Sequence, residues 1–195
     1  MKIISHVCIL LLCAVNGYCQ QWNDEQLKKA NTAADEYRLN EAEKKVILYI
    51  NLCRLYPAAF AENELKAYEG VPGVEDKNFK TYKASLATDL ATRQPAKALN
   101  PDELLYDDAQ CYGREISTNE RKPHQRIDCL KRGYAECIYY GSGDGKHIAM
   151  QWLIDSGIES LGHRRICLLP VHHKIGIKVN THYEYGHCAV AEFAQ

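Results

Sequence analysis

Nine cysteines and eight histidines are the residues of this chain best equipped for chemistry. Cys8, Cys13 and Cys19 fall in an N-terminal stretch expected to be removed, which leaves Cys53, Cys111, Cys129, Cys137, Cys167 and Cys188. In an exported chain an even set points to disulfides, up to three of them, and six cysteines can pair in fifteen ways that spacing alone does not resolve. Cys129 with Cys137 would close a short loop, and Cys167 with Cys188 would tie a short helix to the last strand; these two pairings are expected, with a set of buried free thiols as the alternative. No C-x-x-C pair is present, which argues against a zinc ribbon or a thioredoxin-type centre. The H-E-x-x-H helix and the G-x-S-x-G elbow, the motifs that make hydrolysis specific, are absent too. His172 and His173 read as an exposed loop pair after Pro170, and His182 and His187 as surface residues flanking a turn. Arg164 and Arg165 offer charge to an anion, but salt bridges on a solvated face are the use expected of them.

These residues must be positioned by a small set of elements. Lys2 precedes an apolar run from Val7 to Val15 that is too short to span a bilayer, so residues 1–19 read as a signal peptide, with cleavage after Cys19 or after Gly17. Tyr18 stands where a lipoprotein box needs a small residue, so a free, extracytoplasmic chain without a membrane span is expected. Residues 20–39 form a polar, Ala-rich lead-in with little to bury, and residues 40–195 form one domain. Asn40 with Glu43 makes a capping-box start for a helix that buries Val46, Ile50 and Cys53 and is interrupted at Pro57. Gly70, Pro72 and Gly73 mark a loop, and Asn100-Pro101-Asp102-Glu103 opens a second helix through Ile116. Residues 119–133 are charged and irregular. The loop 141–145 caps a helix with Ile148, Trp152 and Asp155, and a short helix through His163 and Leu168 is stopped by Pro170. Ile175, Ile177 and Val179 alternate, as do Cys188, Val190 and Glu192 against Ala189, Ala191 and Phe193, giving a closing hairpin on which Tyr139 and Tyr140 pack, one in and one out. Helices followed by an antiparallel pair predict an α+β domain with helices packed on a small antiparallel sheet. The formal net charge of −1, with no basic run, excludes a nucleic-acid footprint.

Gly162-His163-Arg164-Arg165-Ile166-Cys167-Leu168-Leu169, followed by Lys174-Ile175-Gly176-Ile177, resembles the GHRxNIL…IGVG signature of the CAP superfamily of cysteine-rich secretory, antigen 5 and pathogenesis-related proteins, in its bacterial branch. Ala135-Glu136-Cys137-Ile138 stands where that family has Gly-Glu-Asn-Ile, and residues 152–157 resemble its Trp-rich helix. The likeness runs from about Asn40 to Gln195 and is weakest over Tyr68 to Gln94, which reads as an insertion or a variable loop. The resemblance implies an α-β-α sandwich and a cleft of two His and two acidic residues, carried onto His124, Glu136, Asp155 and His163, with Glu159 as the rival of Asp155. Two imidazoles and one or two carboxylates suit a divalent cation, zinc or magnesium, with open positions for water. The function expected from the resemblance is a secreted binding module for a small molecule, a lipid or a protein. The alternative is a metal-dependent or Ser/His hydrolase of extracytoplasmic peptide or ester bonds, with Glu136 as base or a Ser beside His163 as nucleophile.

Overall fold

The computed structural model describes residues 22–118, 124–130 and 135–195, so the expected signal peptide and parts of the irregular 119–133 stretch lie outside the described residues. The element order is α1 (Asp24–Ala30), α2 (Glu41–Leu55), α3 (Pro57–Phe60) running into a π-helical turn (Ala61–Leu65), α4 (Phe79–Thr92), β1 (Asn100–Pro101), α5 (Glu103–Thr118), β2 (Ala135–Gly141), α6 (Gly145–Ile154), α7 (Gly162–Leu168), β3 (Lys174–His182) and β4 (Gly186–Ala194). This is an α+β fold. Among the described residues no helix is long and apolar enough to cross a membrane.

The four strands lie in the order β1-β3-β4-β2. The sheet is mixed rather than purely antiparallel, because the two-residue β1 runs parallel to β3 while β3–β4 and β2–β4 are antiparallel. Side chains alternate across it. Ile138, Cys188 and Val190 meet Ala109, Tyr112 and Ile116 of α5 on one face. Cys137, Ala189, Ala191 and Phe193 join the larger core of α2, α4, α6 and α7 on the other. The sheet is therefore covered on both faces, and the alternation read from residues 188–193 decides which side chain goes where. At Gly176 a Cβ would sit 2.0 Å from the Leu105 carbonyl carbon, so the absence of a side chain lets α5 lie directly on β3.

The α2 start is a complete capping box: Asn40 accepts from the Glu43 N–H and Glu43 accepts from the Asn40 N–H. Glu43 is fully buried, and its other oxygen accepts from the Val179 N–H and pairs with Lys178, joining the helix to β3. Pro57 ends α2 and opens α3 as its first residue.

Several expectations are corrected. The lead-in is seated on the core: Ala30 and Ala33 are buried, and Asn51 donates to the Ala30 and Leu99 carbonyls, closing the segment onto α2. The stretch from Tyr68 to Gln94 contains a fourteen-residue helix, α4, whose only buried residues are Leu86 and Leu90. Arg164 is a buried connector, donating to the Leu153, Ile154 and Tyr82 carbonyls and to Ser85 Oγ. His172 is buried, with Nδ1 on the Ile166 carbonyl and its ring against Phe193. His182 is buried among Tyr140, Tyr183 and Tyr185. Arg164 is satisfied by backbone carbonyls and a hydroxyl from other elements, whereas each histidine has Nδ1 bonded to nearby backbone and its ring against aromatic side chains.

The cysteines are corrected as well. Cys111 of α5 pairs with Cys129, and Cys53, Cys137, Cys167 and Cys188 are buried free thiols. Neither Cys129–Cys137 nor Cys167–Cys188 forms. Cys188 lies on the α5 face of the sheet and Cys167 in the opposite core, so the sheet itself separates them. Cys53 illustrates the inertness of such thiols, since burial pushes its pKa far above the ordinary thiol range. Peptide mapping of oxidised protein should therefore find one bridge, Cys111–Cys129, and four thiols that alkylate only after denaturation. Replacing both bridged cysteines by Ser should cost about 3 kcal/mol in denaturant unfolding, given the closed loop of 18 residues.

Candidate functional site

Asp155 ends α6 in the left-handed conformation, φ 59°, which turns the chain back toward α7. Its carboxylate, buried with the residue at 2 % exposure, then caps the next helix: Oδ2 accepts from the backbone N–H groups of His163 at 2.9 Å and Arg164 at 3.2 Å. Oδ1 lies 2.8 Å from His163 Nδ1. One carboxylate thus starts α7 and orients the imidazole at its first turn. Glu159, the rival, is exposed in the intervening turn and does not line the cleft described below.

His124 is held by an equivalent arrangement from the other side of the sheet. Its Nδ1 lies 2.8 Å from Glu136 Oε1, and the Glu136 side chain is almost wholly buried. The 124–130 segment has no regular structure, so three ties substitute for it. The disulfide anchors Cys129 to α5. Glu115 of α5 accepts from the backbone N–H groups of Ile127, Asp128 and Cys129 at 2.7 to 3.0 Å. Burial opposes the charge on Glu115, yet those three donors hold its carboxyl below the usual range. The third tie is Arg126, which is stacked 4.4 Å from the Tyr112 ring centroid and shares one Nη between Glu136 and Glu192.

Glu136 and Glu192 are directly opposed on β2 and β4. Two carboxylates facing each other across strands with one guanidinium between them cannot both ionise cheaply in a buried place. Burial works against ionised Glu136, but hydrogen bonds from His124 and Glu192 and the Arg126 charge outweigh it and hold its carboxyl low. Burial raises Glu192, and its hydrogen bond to Glu136 and the neighbouring negative charge raise it further, against the opposing pull of Arg126. The arrangement is an anionic Glu136, a protonated Glu192 donating to it, and a guanidinium that makes the cluster neutral. Arg126 and Glu192 carried no functional reading in the sequence. Glu192 had a signal, as a carboxyl group on the strand face of Cys188 and Val190, whereas nothing in the irregular segment marks Arg126.

The two His–carboxylate pairs meet on one cleft of about 440 Å³, lined by His124, Asp155 and His163 with Ile138, Tyr139, Gln151 and Trp152. Because each Nδ1 is committed to its carboxylate, each ring presents Nε2 for other use. Glu136 and Asp155 stand behind the rings, as orienting partners. Among the described residues the four groups do not place three ligand atoms within 4.8 Å of one another. Only Cys111, Glu115 and Cys129 do so, and that group could hold a metal only after reduction, since its sulfurs are bonded to each other and Glu115 already serves three N–H groups.

The Glu136/Glu192 pair generates a pH prediction. Glu192 has a raised folded pKa, so its contribution to stability is full below the ordinary glutamate pKa near 4.3 and is lost as pH rises toward the raised value, at up to about 1.4 kcal/mol per unit. Glu136 has the opposite sign: its contribution is present above that range and is lost as pH falls through its lowered value. Glu192→Gln keeps a neutral donor and acceptor, so thermal unfolding of this variant should lack the decline expected of the wild type as pH rises from about 5 to about 9. Parallel Tm profiles for the two proteins would refute the protonated Glu192. No protein-family model and no curated protein matches this chain.

Proposed function

We propose that the chain is an extracytoplasmic, CAP-like binding module whose cleft holds a divalent cation weakly between His124 and His163 and takes its ligand beside that position. The observation that carries this reading is the pair of imidazole–carboxylate couples on a single cleft, approaching from opposite faces of the sheet. A carboxylate behind a ring fixes its tautomer and raises its basicity, which is the arrangement that metal-ligating histidines use. Neutral imidazole suits zinc better than magnesium. Two protein ligands leave the remaining positions to water or to ligand, so the affinity is low and the site is open. The Cys111–Cys129 disulfide is in keeping with an extracytoplasmic setting, where such bonds persist.

A hydrolytic reading has one observation in its favour. Ser156 Oγ is buried in the cleft wall next to Asp155 and has no hydrogen-bond partner among the described residues. A Ser near an Asp-held His has the parts for nucleophilic attack. Chelator-sensitive turnover of ester or peptide substrates, lost in Glu136→Gln, would favour a metal-dependent enzyme; chelator-resistant turnover lost in Ser156→Ala would favour a serine nucleophile.

Calorimetric titration with zinc is the direct test of the binding reading. His163→Ala should abolish the heat of binding, and Glu159→Ala should leave it intact. Protons compete with metal for imidazole, so affinity should fall at least tenfold from about pH 7.5 to about pH 5.5. Undiminished binding by His163→Ala would place the cation elsewhere, and loss of binding in Glu159→Ala would remove Asp155 from its role.

A further inference from the structure

The two histidines of the cleft are seated by different means. His163 stands in the first turn of α7, and Asp155 caps that helix while holding the ring, so regular structure places this imidazole. His124 has no such support. Its backbone is left-handed, φ 66°, a conformation that costs a residue with a side chain and persists only where its surroundings impose it. Burial does not impose it. His124, Gln125, Ile127, Asp128 and Leu130 are all exposed, Ile127 and Leu130 at 65 % and 70 %, so the segment buries little apolar surface to offset the entropy of ordering its backbone.

The other two residues of the segment, Arg126 and Cys129, are its anchors. Arg126 enters the Glu136/Glu192 pair, where the loss of hydration offsets much of the attraction. Cys129 is bonded to Cys111, and one turn further along the same face of α5 stands Glu115, which accepts from the Ile127, Asp128 and Cys129 N–H groups. Bond and carboxylate act as one clamp: the covalent link keeps the segment against α5, and Glu115 then takes its three amides. With the link open, water competes for those amides and for a carboxylate that is only partly buried. Arg126 then holds the segment at one point, which fixes a position but not the left-handed turn two residues before it.

The clamp is also the sulfur centre that redox reagents reach. Cys111 and Cys129 are both partly exposed, whereas Cys53, Cys137, Cys167 and Cys188 are fully buried. A dissolved dithiol therefore meets this bond, and a dissolved disulfide meets no other thiol of the folded chain first. In reduction by a dithiol the Sγ–Sγ bond breaks, two electrons and two protons pass to the cysteines, and the reductant leaves as its own disulfide; a disulfide donor reverses the exchange.

We propose that Cys111–Cys129 is a redox latch on the histidine cleft: the closed bond seats His124 opposite His163 and completes the cation site, and the open bond withdraws that imidazole while Asp155 and His163 stay in place. This deepens the reading of the cleft as a cation site and rests on it. One imidazole is permanent and the other conditional. In oxidising surroundings, where such bonds persist, the cleft offers both ring nitrogens. In reducing surroundings it offers one, and a divalent cation loses half of its protein ligands.

Amide hydrogen exchange tests the latch without any metal, on the oxidised chain, on the chain reduced with dithiothreitol, and on the double variant Cys111→Ser/Cys129→Ser. The Ile127 and Asp128 amides should exchange at least about tenfold faster once the bond is open, and the His163 and Arg164 amides, which Asp155 holds, should stay within about twofold. Zinc titration of the double variant, which has no thiol in the segment, should show affinity reduced at least about tenfold, as in His124→Ala; combining the three substitutions should reduce it no further, because the bond acts through that histidine. Unchanged exchange at Ile127 and Asp128, equal acceleration at His163 and Arg164, or zinc losses that add would each overturn the inference. If zinc fails to bind the wild type while Ile127 and Asp128 respond to the bond, the cation reading alone is wrong. If zinc binds through His163 and those amides do not respond, the latch alone is wrong.

Discussion

The guanidinium of Arg126, set between two carboxylates that face each other across paired strands, is the interaction on which the candidate site depends. Without it, Glu136 and Glu192 would be opposed like charges in a buried place, and the β2–β4 pairing would carry a repulsion at its centre. With it, and with one proton on Glu192, the cluster is neutral and each oxygen has work. Glu136 can then remain an anion deep enough to be dry yet directed at His124. The same guanidinium holds the irregular segment to the sheet, so one residue both neutralises the interior and places the imidazole. Removing Arg126 or Glu136 leaves an uncompensated buried charge, which costs several kcal/mol even where the intact set contributes little to net stability.

Asp155 and His163 show a second economy of the same kind. A helix of seven residues has few internal hydrogen bonds to spare, and its exposed N–H groups need an acceptor. Asp155 supplies one from the end of the preceding helix, and its second oxygen orients the histidine. Folding and site geometry are thus satisfied by a single side chain. Arg164, next in sequence, secures the arrangement by binding the last carbonyls of α6, so α6 and α7 are held at both the donor and the acceptor end.

How much of this was readable in advance depended on whether the signal was local. The alternation over residues 188–193, the capping box at Asn40 and Glu43, the Asp144 cap of α6 and the stop at Pro170 are local, and the corresponding elements stand where they were expected. Helix α4 was missed because it buries only two leucines and so presents little apolar stripe. Asn100 and Pro101 were read as a helix start and also form β1, because a two-residue parallel pairing has no pattern of its own. The polar residues were misread for a different reason. Arg164, His172 and His182 have side chains that are usually solvated, and their burial depends in part on groups that only the fold brings in, the Tyr82 carbonyl for Arg164, the Phe193 ring for His172 and the Tyr140 ring for His182. The disulfide was illegible in the same way: Cys111 and Cys129 are joined through the packing of a helix against an irregular segment. Within the candidate site, His163 and Glu136 were found through their motifs, His124 through its position before the Glu136 segment, and Asp155 by its place after Trp152. Arg126, which fixes two of the interactions, carried no local mark at all.

The outer edge of β2 joins these observations. An edge strand exposes unpaired backbone groups and invites unwanted pairing, so a fold that ends a sheet here has to protect it. Here Trp152 takes an outward carbonyl, α6 and α7 flank the strand from one face of the sheet, and the 124–130 segment, tied to α5, flanks it from the other. The protection is incomplete by design of the topology, because two elements approaching from opposite faces meet along a line and leave a groove between them. Groups attached to either face then arrive at that groove from opposite sides. This is why two histidine–carboxylate pairs, belonging to different layers and separated by some forty residues in sequence, can serve one cleft. A sheet that ended with both faces capped by a single helix could cover its edge more completely, but it could not bring chemistry from both layers to one place.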